Sequence, residues 1–135
     1  MNQPEILIVG AGGMGALFGS ILHENGLKVV LYDTNTEHIR AIQQVGLKIE
    51  GYGGDRTIPI AATSNLSELE SAEIIIFQCK SHGTRQASKA VKPLITQESV
   101  CISFQNGLGN EEVMAEELGE DSVIGGLTAM AGVLL

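Results

Sequence analysis

The chain alternates short apolar runs with longer stretches in which apolar and polar residues are mixed. The first run, Ile6-Leu7-Ile8-Val9, is apolar and mostly β-branched, which is typical of a buried strand. After the glycines that follow it, apolar residues recur every three or four positions, at Met14, Leu17, Phe18, Ile21 and Leu22. That spacing indicates one face of a helix. The amino-terminal part therefore predicts a strand, a glycine-rich turn and a helix.

The rest of the chain continues this alternation. Further strands are predicted at residues 28–32, 72–79, 99–104 and 122–127, and helices at residues 35–45, 83–94 and 110–118. A stretch of period two at residues 47–60 predicts a hairpin in or beside the third strand position, and residues 64–69 predict a short helical turn. The predicted fold is one Rossmann-type, doubly wound α/β domain over residues 1–135, with a mainly parallel sheet and helices on both faces.

Polar residues and glycines predict where the helices begin and end. Thr34 and Glu37 have the Thr-x-x-Glu spacing of a capping box, and Asn110 is of a type that commonly caps helices. His38 and Arg40 then lie on the second helix, where the prediction for both is a solvated side chain and not a ligand.

The glycine-rich turn has the Gly-x-Gly-x-x-Gly spacing of dinucleotide-binding proteins. Gly10 would allow the tight turn, Gly12 would let a diphosphate approach the backbone, and Gly15 would let the helix pack close to the strand. The free N–H groups and the positive dipole end of the helix would hold the anion. The residues expected to bind a dinucleotide here are Gly10, Ala11, Gly12, Gly13, Met14 and Gly15.

Three more polar residues follow predicted strands. Asp33 comes 18 residues after Gly15, close to where dinucleotide-binding domains place an acidic residue that hydrogen-bonds the ribose. Lys80 and Asn106 follow later strands. Because parallel strands end at one edge of the sheet, all three are expected to line one crevice with the glycine turn. The alternatives are a turn without a ligand at the glycines, a plain loop or cap residue at Asp33, a solvated cation at Lys80 and a plain Asn-Gly turn at Asn106.

Composition narrows the functional classes. The 135 residues are 44% hydrophobic and 18% charged, which suits one globular domain with a core. A net charge of −8 argues against non-specific binding to nucleic acid or an anionic membrane. No apolar run is long enough to cross a bilayer, the first residues lack the basic start of a signal peptide, and Cys79 and Cys101 lie within apolar runs. We therefore expect a cytoplasmic protein without disulfides, and the histidine spacing predicts no metal site.

The glycine turn with a further Gly19, Lys80 and the loop Gln105-Asn106-Gly107-Leu108-Gly109 resemble the nucleotide domain of the ketopantoate reductase (2-dehydropantoate 2-reductase) family. The lysine followed by Gln-Asn-Gly-Leu-Gly is more particular to this family than the glycine turn. The resemblance implies reduction of 2-dehydropantoate to pantoate with NADPH, a step toward pantothenate and coenzyme A. It also implies that Lys80 lines the cofactor and substrate cleft, and that Asn106 places the substrate or the nicotinamide ribose. These side chains suit the chemistry, since an ammonium can neutralise a carboxylate or polarise a ketone.

The family pattern is incomplete here in two respects. Members have a second, helical domain that supplies a lysine as general acid and a substrate-binding glutamate, and neither can be located in this sequence. We therefore expect the nucleotide-binding half of such an enzyme, which binds NAD(P)H but turns over slowly or not at all. Asp33 stands where NADPH-dependent members commonly carry a basic or neutral residue, which favours NAD over NADP unless Asp33 turns away and Arg40 reaches over.

Other functions remain open at this point. The chain could belong to another 2-hydroxyacid-type dehydrogenase, such as one similar to 3-hydroxyisobutyrate, 6-phosphogluconate or glycerol-3-phosphate dehydrogenase, although the Gln-Asn-Gly loop argues against these. It could also be a stand-alone nucleotide-binding or redox-sensing module. The expected partner is a small 2-keto acid, with no nucleic acid or membrane. The apolar residues 123–135 have no following element to cover them, which predicts a homo-oligomer or docking to a further domain.

Overall fold

The computed structural model describes residues 2–128 and 132–134. Its strands and α-helices are β1 (Ile6–Val9), α1 (Gly13–Glu24), β2 (Val29–Tyr32), α2 (Thr36–Val45), β3 (Leu47–Ile49), β4 (Arg56–Ile58), β5 (Ala61–Thr63), β6 (Ile74–Phe77), α3 (Thr84–Val91), β7 (Val100–Ser103), α4 (Asn110–Leu118) and β8 (Val123–Gly125). Single 3₁₀ turns lie at Leu66–Glu68, Ser81–Gly83, Lys92–Leu94 and Glu120–Ser122. Every predicted strand and helix is present. Within the described part of the chain, no helix is both long and apolar enough to cross a membrane.

Six of the strands form one sheet in the order β5-β2-β1-β6-β7-β8, and each neighbouring pair is parallel. Ile8 of the central β1 lies opposite Leu31 on one side and Ile76 on the other. The chain adds β2 and β5 on one side of β1 and then crosses to β6 on the other side, so the strand order reverses between β1 and β6. This confirms the doubly wound fold. Ligands of such sheets bind above the carboxyl ends of the strands at the reversal.

The two faces of the sheet carry separate cores. Ile8 packs with Ile39 of α2 and with residues of α1. Its neighbour Leu7 points to the opposite face and packs with Val91 of α3 and Met114 of α4. None of these five side chains is more than 1% exposed. Burying an aliphatic side chain of this size contributes about 1.5–3 kcal/mol, so the alternation along β1 holds helices against both faces, as predicted.

The third strand position was not resolved by the sequence pattern. The predicted hairpin is present, but β3 and β4 pair with each other, Leu47 opposite Ile58, in a separate two-stranded antiparallel sheet. The third position of the main sheet is occupied by β5, which pairs with β2. Its three residues, Ala61, Ala62 and Thr63, are too few to show an apolar periodicity of their own.

Two predicted helix caps are wrong. Asn35, and not Thr34, precedes α2, and its side chain accepts a hydrogen bond of 3.1 Å from the His38 N–H. Gly109 precedes α4 with a φ of +89°. Asn110 is instead the first residue of α4, is 3% exposed, and accepts a 3.0 Å hydrogen bond from the Thr84 hydroxyl. The buried amide of Asn110 therefore joins α4 to α3.

The apolar residues 123–135 lie partly outside the described residues, at positions 129–131 and 135. In the described part, Leu127 is 95% exposed and Val133 is 78% exposed. Large apolar side chains at this exposure are compatible with a contact surface. The association with a second copy or with a further domain stays a prediction.

The thiol of Cys101, on β7, predicts how stability depends on pH. Burial raises the pKa of this thiol from 9.0 to about 11. A raised pKa in the folded state means that the unfolded chain loses this proton first, so the free energy of unfolding should fall as the pH rises from about 9 toward 11. Urea denaturation across that range measures the effect.

The matched control is Cys101→Ala, which removes the titrating thiol. Burial also raises the pKa of Cys79 and Tyr32, and both groups remain in this variant. The fall in stability above pH 9 should therefore persist in Cys101→Ala but be shallower. An equal fall in the two proteins would contradict the prediction.

Candidate functional site

The turn after β1 lies directly against the end of β6. Gly10 has a φ of +103°, which residues with a side chain rarely adopt. A Cβ at Gly10 would lie 2.5 Å from the backbone nitrogen of Cys79 and 2.8 Å from the carbonyl carbon of Gln78. The Gly10 N–H donates to the carbonyl oxygen of Tyr32 at 2.8 Å, and the Gln78 N–H donates to that of Val9 at 2.8 Å. Both the tight turn and the close approach of the two loops therefore require a glycine.

The other two glycines of the motif lie in different surroundings. A Cβ on Gly15 would collide with the carbonyl oxygen of Gly10, so α1 packs directly onto the turn. Gly12 precedes α1, and no heavy atom of the described residues lies within 4 Å of where its Cβ would be. Gly13 lies against the backbone of Gly132, so the described segment 132–134 passes beside the first turn of α1. The turn is therefore closed at Gly15 and open at Gly12.

The open side of the turn can accept an anion. The first N–H groups of any α-helix lack intrahelical acceptors and lie at the positive end of its dipole. The first turn of α1 contains no acidic residue. The N–H of Gly12 has no acceptor among residues 2–128 and 132–134. A phosphate at Gly12 would therefore meet free N–H donors and a favourable field.

Asp33 is held beside the glycine turn by two backbone groups. Its Oδ2 accepts a hydrogen bond of 2.8 Å from the Ala11 N–H, and its Oδ1 accepts one of 2.9 Å from the Asn35 N–H. Each carboxylate oxygen has a further lone pair and can still accept a ligand hydroxyl. The contact also occupies the Ala11 N–H, so Ala11 shapes the turn and does not offer its N–H to a ligand. The structure thus brings Asp33 to the predicted place, at the rim of the crevice.

His38 is a residue of this site that sequence reasoning missed. Its Nε2 lies 2.7 Å from the carbonyl oxygen of Ala11, and the residue is half-buried. The prediction of a solvated His38 is therefore wrong, because the first turn of α2 lies close enough to the glycine turn to contact it. The available signal was its position five residues after Asp33, which places it on the helical turn nearest the crevice.

The second half of the site is tied together by Gln105. Its Nε2 donates to the carbonyl oxygen of Cys79 at 2.9 Å and to the hydroxyl of Thr84 at 2.7 Å. Its Oε1 accepts from the hydroxyl of Ser103 at 2.9 Å. The Thr84 hydroxyl in turn donates to the buried Asn110. Gln105 therefore fixes the end of β7 to the loop that follows β6 and, through Thr84, to α4.

The loops that carry Lys80 and Asn106 are also joined. The carbonyl oxygen of Asn106 accepts from the Ser81 hydroxyl at 2.8 Å and from the Nδ2 of Asn110 at 3.1 Å. Lys80 and Asn106 are both exposed, and neither side chain has a hydrogen-bond or ion-pair partner among residues 2–128 and 132–134. The structure thus brings their two loops together at the predicted edge and leaves an ammonium and an amide available to a ligand.

The surroundings of Cys79 and Tyr32 disfavour the negatively charged form of both side chains. Burial raises the pKa of the Cys79 thiol, and the charge of Asp33 raises it further. Burial likewise raises the pKa of the Tyr32 hydroxyl, again with a contribution from Asp33. Cys79 is consequently a protonated, weakly nucleophilic thiol at neutral pH. An anionic ligand would find its favourable contacts at the backbone of the turn and at Lys80.

Comparison with known proteins agrees with this geometry. The profile of the family described as ketopantoate reductase PanE/ApbA matches residues 6–135. The chain is 37% identical over 124 residues to the 2-dehydropantoate 2-reductase of Pyrococcus abyssi, covering 92% of this chain and 39% of that protein. It is also similar to the crystal structure of 2-dehydropantoate 2-reductase from Geobacter metallireducens, with a TM-score of 0.81 and 30% identity over 89% of this chain and 40% of that one.

A second similar structure is a complex of D-mandelate dehydrogenase with NADH and anilino(oxo)acetate. Its TM-score is 0.81 and its identity 26%, over 90% of this chain and 40% of that chain. The sequence thus spans about 40% of the length of the curated relatives that it matches.

The Gln105 contacts predict a large effect on stability. Gln105→Leu keeps the approximate shape of the side chain but leaves the Cys79 carbonyl without its side-chain donor and the Ser103 hydroxyl proton without its acceptor. Buried polar groups that lose a partner cost about 1–3 kcal/mol each, so the free energy of unfolding should fall by about 2–4 kcal/mol in urea denaturation. The control is Gln86→Leu on the exposed face of α3, which should change it by less than about 0.5 kcal/mol. Equal midpoints for the two variants would contradict this role of Gln105.

Proposed function

Because the chain belongs to the ketopantoate reductase PanE/ApbA family, we propose that it is the NAD(H)-binding half of a reductase that converts a 2-keto acid to the 2-hydroxy acid. The first candidate substrate is 2-dehydropantoate, which would give pantoate, and relatives of that name support it. The observation that carries the proposal is the connection of the open glycine turn, through Cys79 and Gln105, to the loops of Lys80 and Asn106. The remaining part of such an enzyme would be the helical domain that the resemblance implies.

The turn suits the diphosphate of a dinucleotide. Gly12 offers an N–H without an acceptor in the described structure, and its open side lets a diphosphate approach the protein backbone. The turn proposed to hold the diphosphate consists of Gly10, Ala11, Gly12, Gly13, Met14 and Gly15. In it, Gly10 and Ala11 shape the backbone, because their own N–H groups are bonded to Tyr32 and Asp33, and Asp33 accepts hydrogen bonds from the adenosine ribose. A bound NADH supplies the hydride that reduces the ketone carbon.

Lys80 and Asn106 are proposed to act on the substrate side of the crevice. The ammonium of Lys80 would neutralise the substrate carboxylate or stabilise negative charge that develops on the ketone oxygen. The amide of Asn106 has both a donor and an acceptor, so it can orient the substrate or the nicotinamide ribose. The proton for the product hydroxyl would come from the family's general-acid lysine, which belongs to the helical domain.

Asp33 is proposed to select NADH over NADPH. Two unit charges 4 Å apart repel by about 1 kcal/mol in water and about 4 kcal/mol at an effective dielectric constant of 20, and a 2′-phosphate carries more than one charge. Asp33 could avoid this only by turning away, which would leave the N–H groups of Ala11 and Asn35 without their acceptor. The NADH complex of the similar D-mandelate dehydrogenase supports the same choice.

A second candidate substrate class is a 2-keto acid other than 2-dehydropantoate. The similarity to D-mandelate dehydrogenase, at 26% identity, favours this alternative. The part of the relatives that this chain does not match would contribute to substrate choice. A panel of branched and aromatic 2-keto acids would separate the two candidates.

The cofactor preference can be measured by titration of the chain with each dinucleotide. The wild type should bind NADH at least about tenfold more tightly than NADPH, as expected for a charge repulsion of about 1.4 kcal/mol or more. Asp33→Asn, which removes the charge, should reduce this ratio severalfold. Asp121→Asn, which removes a charge before β8 at the opposite edge of the sheet, should leave it unchanged. Tighter binding of NADPH by the wild type would overturn the preference.

Turnover distinguishes the half-enzyme from a complete one. The isolated chain should oxidise NADH with 2-dehydropantoate slowly or not at all, because the proposed general acid lies outside the matched region. Substituted for the matched region of the Pyrococcus abyssi relative, the same chain should support reduction. Robust turnover by the isolated chain would contradict the half-enzyme proposal.

The fusion protein also tests the proposed site residues. In it, Lys80→Met and Asn106→Ala should each lower kcat/KM by about 10²-fold or more, the effect of losing an electrostatic or orienting contact. Lys89→Met, which removes an exposed lysine from α3, is the control and should have little effect. Equal rates for Lys80→Met and Lys89→Met would exclude Lys80 from the reaction.

A further inference from the structure

Both polar groups of Ala11 are held by side chains from the next strand and helix. The N–H donates to Asp33 Oδ2 at 2.8 Å, and the carbonyl oxygen lies 2.7 Å from His38 Nε2. A carbonyl oxygen can only accept, so Nε2 must carry the hydrogen in this contact. The backbone N–H of His38 is itself bonded to the Asn35 side chain, which fixes the start of α2.

The His38 contact determines the direction of the Gly12 N–H. The described backbone contains no cis peptide bond, and in a planar trans peptide the C=O and the N–H point in opposite directions. Because His38 draws the Ala11 carbonyl oxygen toward α2, the Gly12 N–H of the same peptide unit points away from α2. That N–H has no acceptor among the described residues, and the adjacent side of Gly12 is open.

We infer that His38 is a positioning residue for dinucleotide binding, which holds the Ala11–Gly12 peptide with the Gly12 N–H directed at the diphosphate. The inference rests on the proposed function, since it requires an anion at Gly12. His38 acts through the peptide unit and needs no contact with the ligand.

The physical reason is preorganisation. A peptide unit followed by two glycines has few steric limits on its rotation, so without the His38 bond it would populate orientations that turn the Gly12 N–H elsewhere. Binding would then have to order the turn. A single net hydrogen bond corresponds to about 3- to 10-fold in affinity.

Three substitutions separate the hydrogen bond from the bulk of the side chain. In His38→Gln the amide nitrogen occupies the ε position and can donate to the same carbonyl, whereas in His38→Asn it stops at the δ position, one bond short. His38→Leu fills similar space without a donor. NADH titration should give wild-type affinity, within about twofold, for His38→Gln and about 3- to 10-fold weaker binding for the other two. His23→Gln, in the last turn of α1, is the control and should bind as the wild type does.

A spectroscopic readout tests the direction of the N–H itself. In ¹H–¹⁵N spectra of the wild type and His38→Gln, saturating NADH should shift the Gly12 amide strongly and the Ala11 amide, already bonded to Asp33, much less. In His38→Leu the Gly12 shift should be smaller. Folding of each variant is checked by its thermal transition without ligand.

The possible failures are distinguishable. A wild type that does not bind NADH would overturn the proposed function together with this inference. If the wild type binds NADH and all three His38 variants bind it with the affinity of the wild type, only the role of His38 is overturned. Equal weakening in His38→Gln and His38→Leu would show that the imidazole is needed for a reason other than its Nε2 donor, and would also overturn the inference.

Discussion

The close contact between the Gly10 turn and the backbone at Cys79 is the constraint on which the site depends. It occurs at the reversal of strand order, where two loops meet that are far apart in sequence. Because the position has room for no Cβ, the two backbones touch directly and the floor of the crevice is main chain. The carbonyl oxygen of Cys79 in turn accepts a hydrogen bond from the side chain of Gln105. The turn proposed to bind the diphosphate and the loop of Asn106 are thereby joined by a backbone contact and hydrogen bonds.

The proposed cofactor is an anion and the protein is acidic, so repulsion between the two has to be considered. The net charge is −8, yet charges on distant surfaces are screened over about 8 Å at physiological ionic strength. A phosphate at Gly12 would experience mainly the N–H groups within hydrogen-bonding distance and the dipole of α1. Asp33, a negative group beside the turn, has its two oxygens bonded to the N–H groups of Ala11 and Asn35. In the proposed complex its charge would act at the ribose end of the ligand, which is the basis of the proposed preference for NADH.

Most of the fold could be predicted from the sequence because the long elements have a clear period and begin or end at glycine. What could not be predicted depends on contacts between segments. The strand β5 is only three residues long. At the start of α2, the capping-box spacing of Thr34 and Glu37 favoured Thr34, although Asn35 is of a type that caps helices more strongly. The role of His38 depends on how close α2 lies to the glycine turn, which tertiary packing determines. The crevice itself was predictable, since it follows from strand order alone.

The side-chain amides of Gln105, Asn106 and Asn110, in and after the loop that follows β7, differ in their hydrogen bonding, and this difference distinguishes Asn106 from the other two. Gln105 and Asn110 carry the same amide group as Asn106, but Gln105 is partly buried, Asn110 is buried, and both amides form hydrogen bonds within the protein. Even the carbonyl oxygen of Asn106 is used, by Ser81 and Asn110. Among the side-chain amides of Gln105, Asn106 and Asn110, that of Asn106 is the one with no partner in the described structure. Because the backbone of Asn106 is anchored by these two hydrogen bonds, binding would have to order only its side chain, which lowers the entropic cost of the substrate-positioning role proposed for it.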